Sequence, residues 1–303
     1  MGVPFSRNEP SADYAADKTV LITGASAGIG AELARNFAAQ KATIALVARN
    51  KDNLQAVAKE CLELGAKRVE VFSCDLTKDD DTKQTIESVI KSFGSLDIVI
   101  MNAGRSMGCY FEEIRDIESI NYMLKLNVNG VINTLWCALP AIPKSKASRI
   151  VIVSSVSGMV GIPYRTIYCA SKHALCGFAN TLRIELRDTH GASNAPSVQL
   201  INFPEVQGTN LNSGRMDMGA LRPPVEFKTG GNMMTVQTAC KNLLVQIEQG
   251  TDEWGHTLKF SIVAFLRFFF ARLADSLILK SVKKTHIRPA ERTKVNASEK
   301  KVQ

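Results

Sequence analysis

KTVLITGASAGIGAELARNFAAQ, residues 18–40, runs from an apolar strand through a glycine-rich turn into a helix. The strand is Lys18 to Thr23 and the turn is Gly24-Ala25-Ser26-Ala27-Gly28-Ile29-Gly30, with helical spacing of apolar residues continuing to Gln40. Glycines in such a turn let the backbone approach a pyrophosphate, and the free N–H groups of the helix's first turn face its charge. Gly24, Ser26, Gly28, Ile29 and Gly30 are therefore the expected phosphate contacts of a dinucleotide site. Their spacing is Thr-Gly-x-x-x-Gly-x-Gly rather than Gly-x-Gly-x-x-Gly.

Outward from this unit, strands and helices alternate. Strands are expected at 18–23, 43–47, 69–73, 96–101, 149–154 and 197–203. Helices are expected at 28–40, 50–64, 79–93, 117–140, 166–187 and 235–249. Alternation at this spacing means a parallel sheet covered on both faces. The fold class is α/β, a doubly wound parallel sheet of Rossmann type in a single domain over residues 18–257. Its expected strand order is 3-2-1-4-5-6-7, with the cofactor over the C-terminal strand ends at the switch point. Residues 1–17 read as a disordered polar tail. Residues 205–235, rich in Gly, Pro and Met, read as a substrate lid over Cys109, Tyr110, Ile162 and Tyr164.

The second informative stretch is SVSGMVGIPYRTIYCASK, residues 155–172. It follows the buried-strand pattern Ile150-Val151-Ile152-Val153 and leads into a helix. Four residues separate Tyr168 from Lys172, one helical turn on the same face. A cation there is expected to favour phenolate and to lower a pKa that is normally about 10. Such a Tyr exchanges a proton with a carbonyl or alcohol oxygen near neutral pH, and Ser155 can hold the same oxygen. Proton chemistry at a carbonyl needs a hydride carrier, which the first stretch can bind.

Together with Asn102-Ala103-Gly104 at the end of the fourth strand, these motifs resemble the short-chain dehydrogenase/reductase family across roughly residues 18–257. YCASKHALCGF and MMTVQTACKNLLVQIEQGTDEW resemble the branch of dehydrogenase/reductase member 7 and 11-beta-hydroxysteroid dehydrogenase type 1. The resemblance implies an oxidoreductase interconverting a lipophilic ketone or aldehyde and its alcohol, of steroid, retinoid or similar class, and a homodimer. It assigns Ser155, Tyr168 and Lys172 to catalysis, with Lys172 also on the nicotinamide ribose. Asn127 would continue a proton relay from Lys172 through a water on its main-chain carbonyl. Asp75, beside Leu76, would reach the adenine amino group, and Asn102, Ala103 and Gly104 would carry the adenosine ribose. Pro204, Val206 and Thr209 would grip the carboxamide, although Glu205 stands where the family has Gly. The alternatives are a 3-ketodihydrosphingosine reductase-like sphingolipid enzyme and a non-catalytic NADP-binding scaffold.

The cofactor's phosphate is read from the second strand's end, Ala48-Arg49-Asn50. No acid occurs before Asp52 to bind an adenosine 2′-hydroxyl, and Arg49 offers a cation to a 2′-phosphate, so NADP(H) is expected over NAD(H). The alternative is a solvated Arg at a helix start.

The net charge is +8, but residues 280–303 hold eight Lys/Arg against two acids, so the remainder is nearly neutral and no nucleic-acid groove is expected. Seven cysteines with no Cys-x-x-Cys pair suggest unpaired thiols in a reducing compartment, and no metal site is expected. Residues 1–17 carry no apolar core, so no signal peptide is expected there. Gly2 fits a loose myristoylation pattern. Residues 258–283 are long enough to span a bilayer, but Arg267, Arg272 and Asp275 interrupt them. An amphipathic helix lying on a membrane surface is expected, with Phe265, Phe268, Phe269 and Leu273 toward the lipid; the alternative is a helix packed on the protein body or on a dimer partner. The basic tail 284–303 follows, ending in a pattern similar to the dilysine retrieval signal. The expected location is the endoplasmic reticulum membrane, cytosolic face, with Asn296 unglycosylated.

Overall fold

The computed structural model describes residues 9–209, 234–255 and 258–285. Gly2, the lid segment 210–233 and the tail beyond 285 lie outside the described residues.

The chain begins with β1 (Thr19–Thr23), α1 (Gly28–Ala39), β2 (Thr43–Ala48), α2 (Lys51–Glu63), β3 (Arg68–Ser73), α3 (Asp79–Phe93) and β4 (Ile98–Met101). It continues through α4 (Ile117–Leu124), α5 (Gly130–Ala138), β5 (Arg149–Ser155), α6 (Thr166–His190) and β6 (Ser197–Phe203). Two short strands follow, β7 (Val206–Gln207) and β8 (Met234–Thr235), then α7 (Val236–Gln249), β9 (Glu253–Trp254), α8 (Leu258–Phe269) and α9 (Ala271–Thr285). Seven strands form one sheet in the order β3-β2-β1-β4-β5-β6-β9, every pair parallel. This is the expected order, with the seventh position taken by the ninth strand because β7 and β8 pair separately at the roots of the 210–233 segment.

Strand alternation divides the core. Val20 and Ile22 face one side with Leu33 and Phe37 of α1, Leu54 of α2 and Leu243 of α7. Leu21 faces the other with Ile86 of α3, Leu135 of α5 and Leu175 of α6. Successive side chains of a strand point to opposite faces, so a parallel sheet sandwiched by helices needs near-continuous apolar strands, as β1 and β5 have.

Three expectations are corrected. The helix expected over 117–140 is two α-helices joined by a π turn, Lys125–Asn129. The extra residue turns Asn127 inward, where its amide finds partners that a regular helix would not offer. Residues 9–17 are not a loose tail: Ser11 N–H donates to Glu248 at 2.9 Å, Glu9 pairs with Lys241, and buried Ala15 donates to Gln40 at 3.1 Å. Finally, 258–283 is not one helix. It breaks at Phe270, and Arg267 of α8 bonds Asp275 of α9 at 2.6 Å. Eight residues apart on a straight helix are about 12 Å apart along its axis, so that contact requires the bend. Among the described residues no helix is long and apolar enough to cross a membrane.

Candidate active site

A cavity of about 1500 Å³ opens over the C-terminal ends of β1, β4, β5 and β6. It is larger than the ~300–1,000 Å³ of sites for drug-sized ligands. At one end, β1 stops at Thr23 and Gly24 takes a left-handed φ of 66°. A Cβ on Gly30 would stand 2.3 Å from the Gly24 carbonyl oxygen and 2.7 Å from Asn102 Nδ2. Only glycine permits α1 to begin so close to the strand ends. Asn102 locks the turn by donating to the carbonyls of Thr23 and Gly24 at 3.1 and 3.3 Å. The N-termini of α2, α4 and α7 are capped by Asn50, Asp116 and Thr235 side chains. α1 is preceded by Ala27, which offers no side-chain cap, and has no acid in its first turn, and Gly28 and Ile29 line the cavity. An uncapped helix start with room before it is chemically suited to a phosphate. The residues present thus fit a dinucleotide.

Ser26, Ala103, Gly104 and Leu76 also line this cavity. Arg49 stands at its rim, where Nη1 donates to the Tyr122 hydroxyl of α4 at 2.8 Å. Asp75 is directed elsewhere: its carboxylate accepts from the Thr77 amide at 3.1 Å and hydroxyl at 2.8 Å. Burial opposes its ionisation, but the two Thr77 hydrogen bonds, with the positive charges of Arg49 and Lys78, outweigh this and hold the carboxyl below its usual range. In this structure it is a turn acid, the plainer role for that position. Pro204, Val206 and Thr209 line the opposite wall, and the Thr209 hydroxyl donates to Val206 O at 3.2 Å. Glu205 needs no glycine-only backbone; the left-handed residue of this turn is Gly208, at φ 81°.

Ser155, at the end of β5, and Tyr168 and Lys172, on the first turns of α6, meet in the middle of the cavity, all buried. The Ser155 hydroxyl accepts from Ser157 N–H at 3.2 Å and acts against the burial that raises the Tyr168 pKa. Lys172 Nζ lies 5.7 Å from the Tyr168 ring centre and donates to Val153 O at 2.9 Å. A Cβ on Gly104, in the loop after β4, would come within 3.2 Å of Asn127 Oδ1. Asn127 is fully buried: Nδ2 donates to Arg105 O at 2.9 Å and to Ser171 Oγ at 3.1 Å, and Oδ1 accepts from Arg105 N–H at 2.9 Å. The amide thereby ties the loop after β4 to α6.

The electrostatics differ from the expectation. Burial dominates at Tyr168 and raises its pKa above 10, opposed by the positive charge of Arg165 and the Ser155 hydrogen bond. Burial also makes Lys172 easier to deprotonate, its pKa lowered to about 8. The physical reason is desolvation: both groups lose water, and the ammonium is spent on a carbonyl rather than on the phenol.

Arg165 was not anticipated, and the cavity's roof is the alternative held for 258–283, packing on the protein body. Ile262, Val263 and Leu266 of α8 and Leu277, Ile278 and Ser281 of α9 line the cavity. The apolar pattern of 258–283 was visible, but an inward face cannot be told from a lipid-facing one by periodicity. Of the side chains expected beneath the lid, Ile162 lines the cavity, Cys109 is buried beside Tyr168, and the Tyr110 and Tyr164 hydroxyls bond each other at 3.0 Å.

Comparison with known proteins agrees with this geometry. The short chain dehydrogenase family model matches residues 18–209. The chain is 33% identical over 239 residues to an 11-beta-hydroxysteroid dehydrogenase-like protein 4A of Arabidopsis thaliana, covering 78% of this chain and 74% of that one. It is 31% identical over 290 residues to a dehydrogenase/reductase SDR family protein 7-like of Dictyostelium discoideum, covering 93% and 88%. A structure described as a short chain dehydrogenase from Shigella flexneri, complexed with NADP, superposes with a TM-score of 0.67 at 26% identity, over 78% of this chain and 93% of that one.

Proposed function

The chain belongs to the short-chain dehydrogenase family, and from that premise we propose that it is an NADP(H)-dependent oxidoreductase interconverting a lipophilic ketone or aldehyde and its alcohol. One observation carries the reading: a single cavity joins a dinucleotide cradle, a Ser155–Tyr168–Lys172 cluster and a roof of aliphatic side chains. The aliphatic roof favours an apolar substrate, since each buried CH₂ is worth about 0.8 kcal/mol. When bound, the reduced nicotinamide supplies a hydride to the carbonyl carbon. Ser155 orients the carbonyl oxygen, and Tyr168 gives it a proton. Lys172 holds the nicotinamide ribose, with Asn127 completing a relay that returns the proton to Tyr168. Arg49 takes the 2′-phosphate at the rim.

The enzyme is proposed to work at the cytosolic face of the endoplasmic reticulum membrane. Phe265, Phe268, Phe269 and Leu273 stand on the outer side of the two-helix roof, more than half exposed, a patch suited to a lipid surface. A second copy of the chain is proposed to cover α5 and α6, where Trp136 and Ile184 are exposed.

The test is NADPH oxidation by the purified protein against steroid ketones, retinal and 3-ketosphinganine. Carbonyl-dependent oxidation is expected from wild type. Tyr168→Phe should lose turnover by orders of magnitude while nearly keeping its NADPH affinity. A wild type inactive on the whole panel, or a fully active Tyr168→Phe, would refute the proposal.

A further inference from the structure

Tyr168 is flanked by two cations at similar distance, Lys172 Nζ at 5.7 Å and the Arg165 guanidinium carbon at 5.9 Å from its ring centre. Arg165 ends the loop before α6; its N–H donates to Ile162 O at 3.2 Å and its carbonyl accepts from Cys169 N–H at 2.7 Å. With the backbone held on both sides, the side chain runs into the cavity wall and is only 8% exposed. The guanidinium carbon lies 5.9 Å from the Tyr168 ring centre. On its other side Nη2 is 4.0 Å from the Glu205 carboxylate, which also lines the cavity. Thus an Arg three residues before the Tyr lies beside the proton donor and meets, on its far side, a Glu in a position the family gives to Gly.

We infer that Arg165 is a positioning residue for Tyr168: its guanidinium supplies positive field at the phenol, and Glu205 tempers that field. The inference rests on Tyr168 being the proton donor proposed above. The groups facing the phenol can be named element by element. From β5 comes the neutral Ser155 hydroxyl. From α6 come Lys172 and the Cys169 thiol, and from the loop after β4 the Cys109 thiol. Burial pushes Cys109 up to about 11 and raises Cys169, so both stay neutral over the working range. Lys172 loses its charge from about 8, whereas a guanidinium keeps its charge throughout. Arg165 is then a permanent cation beside Tyr168, and Arg105 is another guanidinium in the same cavity lining. A charge at this separation, in a partly dry site, shifts a neighbour's titration by on the order of one unit.

The test needs no substrate. The full chain is labelled with 3,5-difluorotyrosine, which brings phenol titration toward neutral pH, and followed by fluorine NMR. The Tyr168 signal among the five tyrosines is assigned from its loss in Tyr168→Phe. Arg165→Gln should raise the Tyr168 midpoint by about one unit, Arg165→Lys should restore most of the wild-type value, and Glu205→Gln should lower it. Unchanged midpoints, or shifts of Arg165→Gln and Glu205→Gln in the same direction, would overturn the inference. Should Arg165→Gln not fold, Glu205→Gln decides alone: a lowered midpoint supports it and an unmoved one refutes it. Because the readout is independent of turnover, an inactive carbonyl panel would sink the proposed function while leaving this result to stand or fall separately.

Discussion

Lys172 is held in the folded chain at a cost that can be measured. Its folded pKa of about 8 lies below the usual lysine value, so between about 8 and 10.5 the unfolded chain binds more protons than the folded one. Stability contributed by this residue therefore rises with pH through that window. Denaturant unfolding of wild type and Lys172→Met should show the wild type gaining on the variant from pH 8 to 10.5, by up to ~3 kcal/mol. A constant difference across the window would show that the ammonium is not desolvated. At the rim, Arg49 is exposed and bonded to Tyr122, free to exchange that hydroxyl for a phosphate. Arg49→Asp is expected to reverse or erase a preference for NADPH over NADH, a change of a few kcal/mol at most. Equal steady-state kinetics with both cofactors in wild type would remove Arg49 from that role.

At the scale of elements, the first βα unit works only because the backbone comes closer than any side chain allows. Gly30→Ala would press a methyl group onto the Gly24 carbonyl at 2.3 Å. The variant should weaken NADPH binding at least tenfold, read by fluorescence titration. Gly177, in α6, gives the contrast: a Cβ there meets nothing within 4 Å. Gly177→Ala should leave cofactor affinity alone and raise stability by roughly 0.5–1 kcal/mol, because it removes only the entropy cost of a helical glycine. The π turn at Lys125–Asn129 is the same kind of device in a helix. An inserted residue sacrifices regular hydrogen bonding so that one amide can tie β4's loop to α6.

For the whole molecule, the C-terminal pair α8–α9 has two faces of different surroundings. The inner face closes the cavity, and the outer carries Phe268, 84% exposed, with Phe265 and Phe269 beside it. Phe268→Asp with Phe269→Asp should move the protein from the microsomal pellet to the soluble fraction without abolishing NADPH binding, since neither side chain lines the cavity. Wild-type protein already in the soluble fraction, or glycan on Asn296, would contradict the cytosolic membrane arrangement. The Arg267–Asp275 pair holding the bend is partly exposed and on its own is worth at most about 1 kcal/mol in water.

The strand–helix alternation, the glycine turn and the Tyr168–Lys172 spacing were legible in sequence because each rests on local rules, and the sheet order and the role of Ser155 followed from the family those motifs resemble. Apolar strands alternate with amphipathic helices, glycines mark backbone that must approach backbone, and residues four apart share a helical face. Tertiary structure alone decided four things. Asp75 turns to Thr77, because a short acid takes the nearest donors. Asn127 faces inward through a π insertion that no periodicity announces. Lys172 bonds Val153 rather than charging Tyr168, because burial strips water from both and the carbonyl is the nearer partner. The segment 258–285 folds back over the cavity, since an apolar stripe states that a face must be covered but not by what. Arg165 belongs with these: its spacing from Tyr168 is ordinary, and only the fold sets Glu205, forty residues later, on its other side.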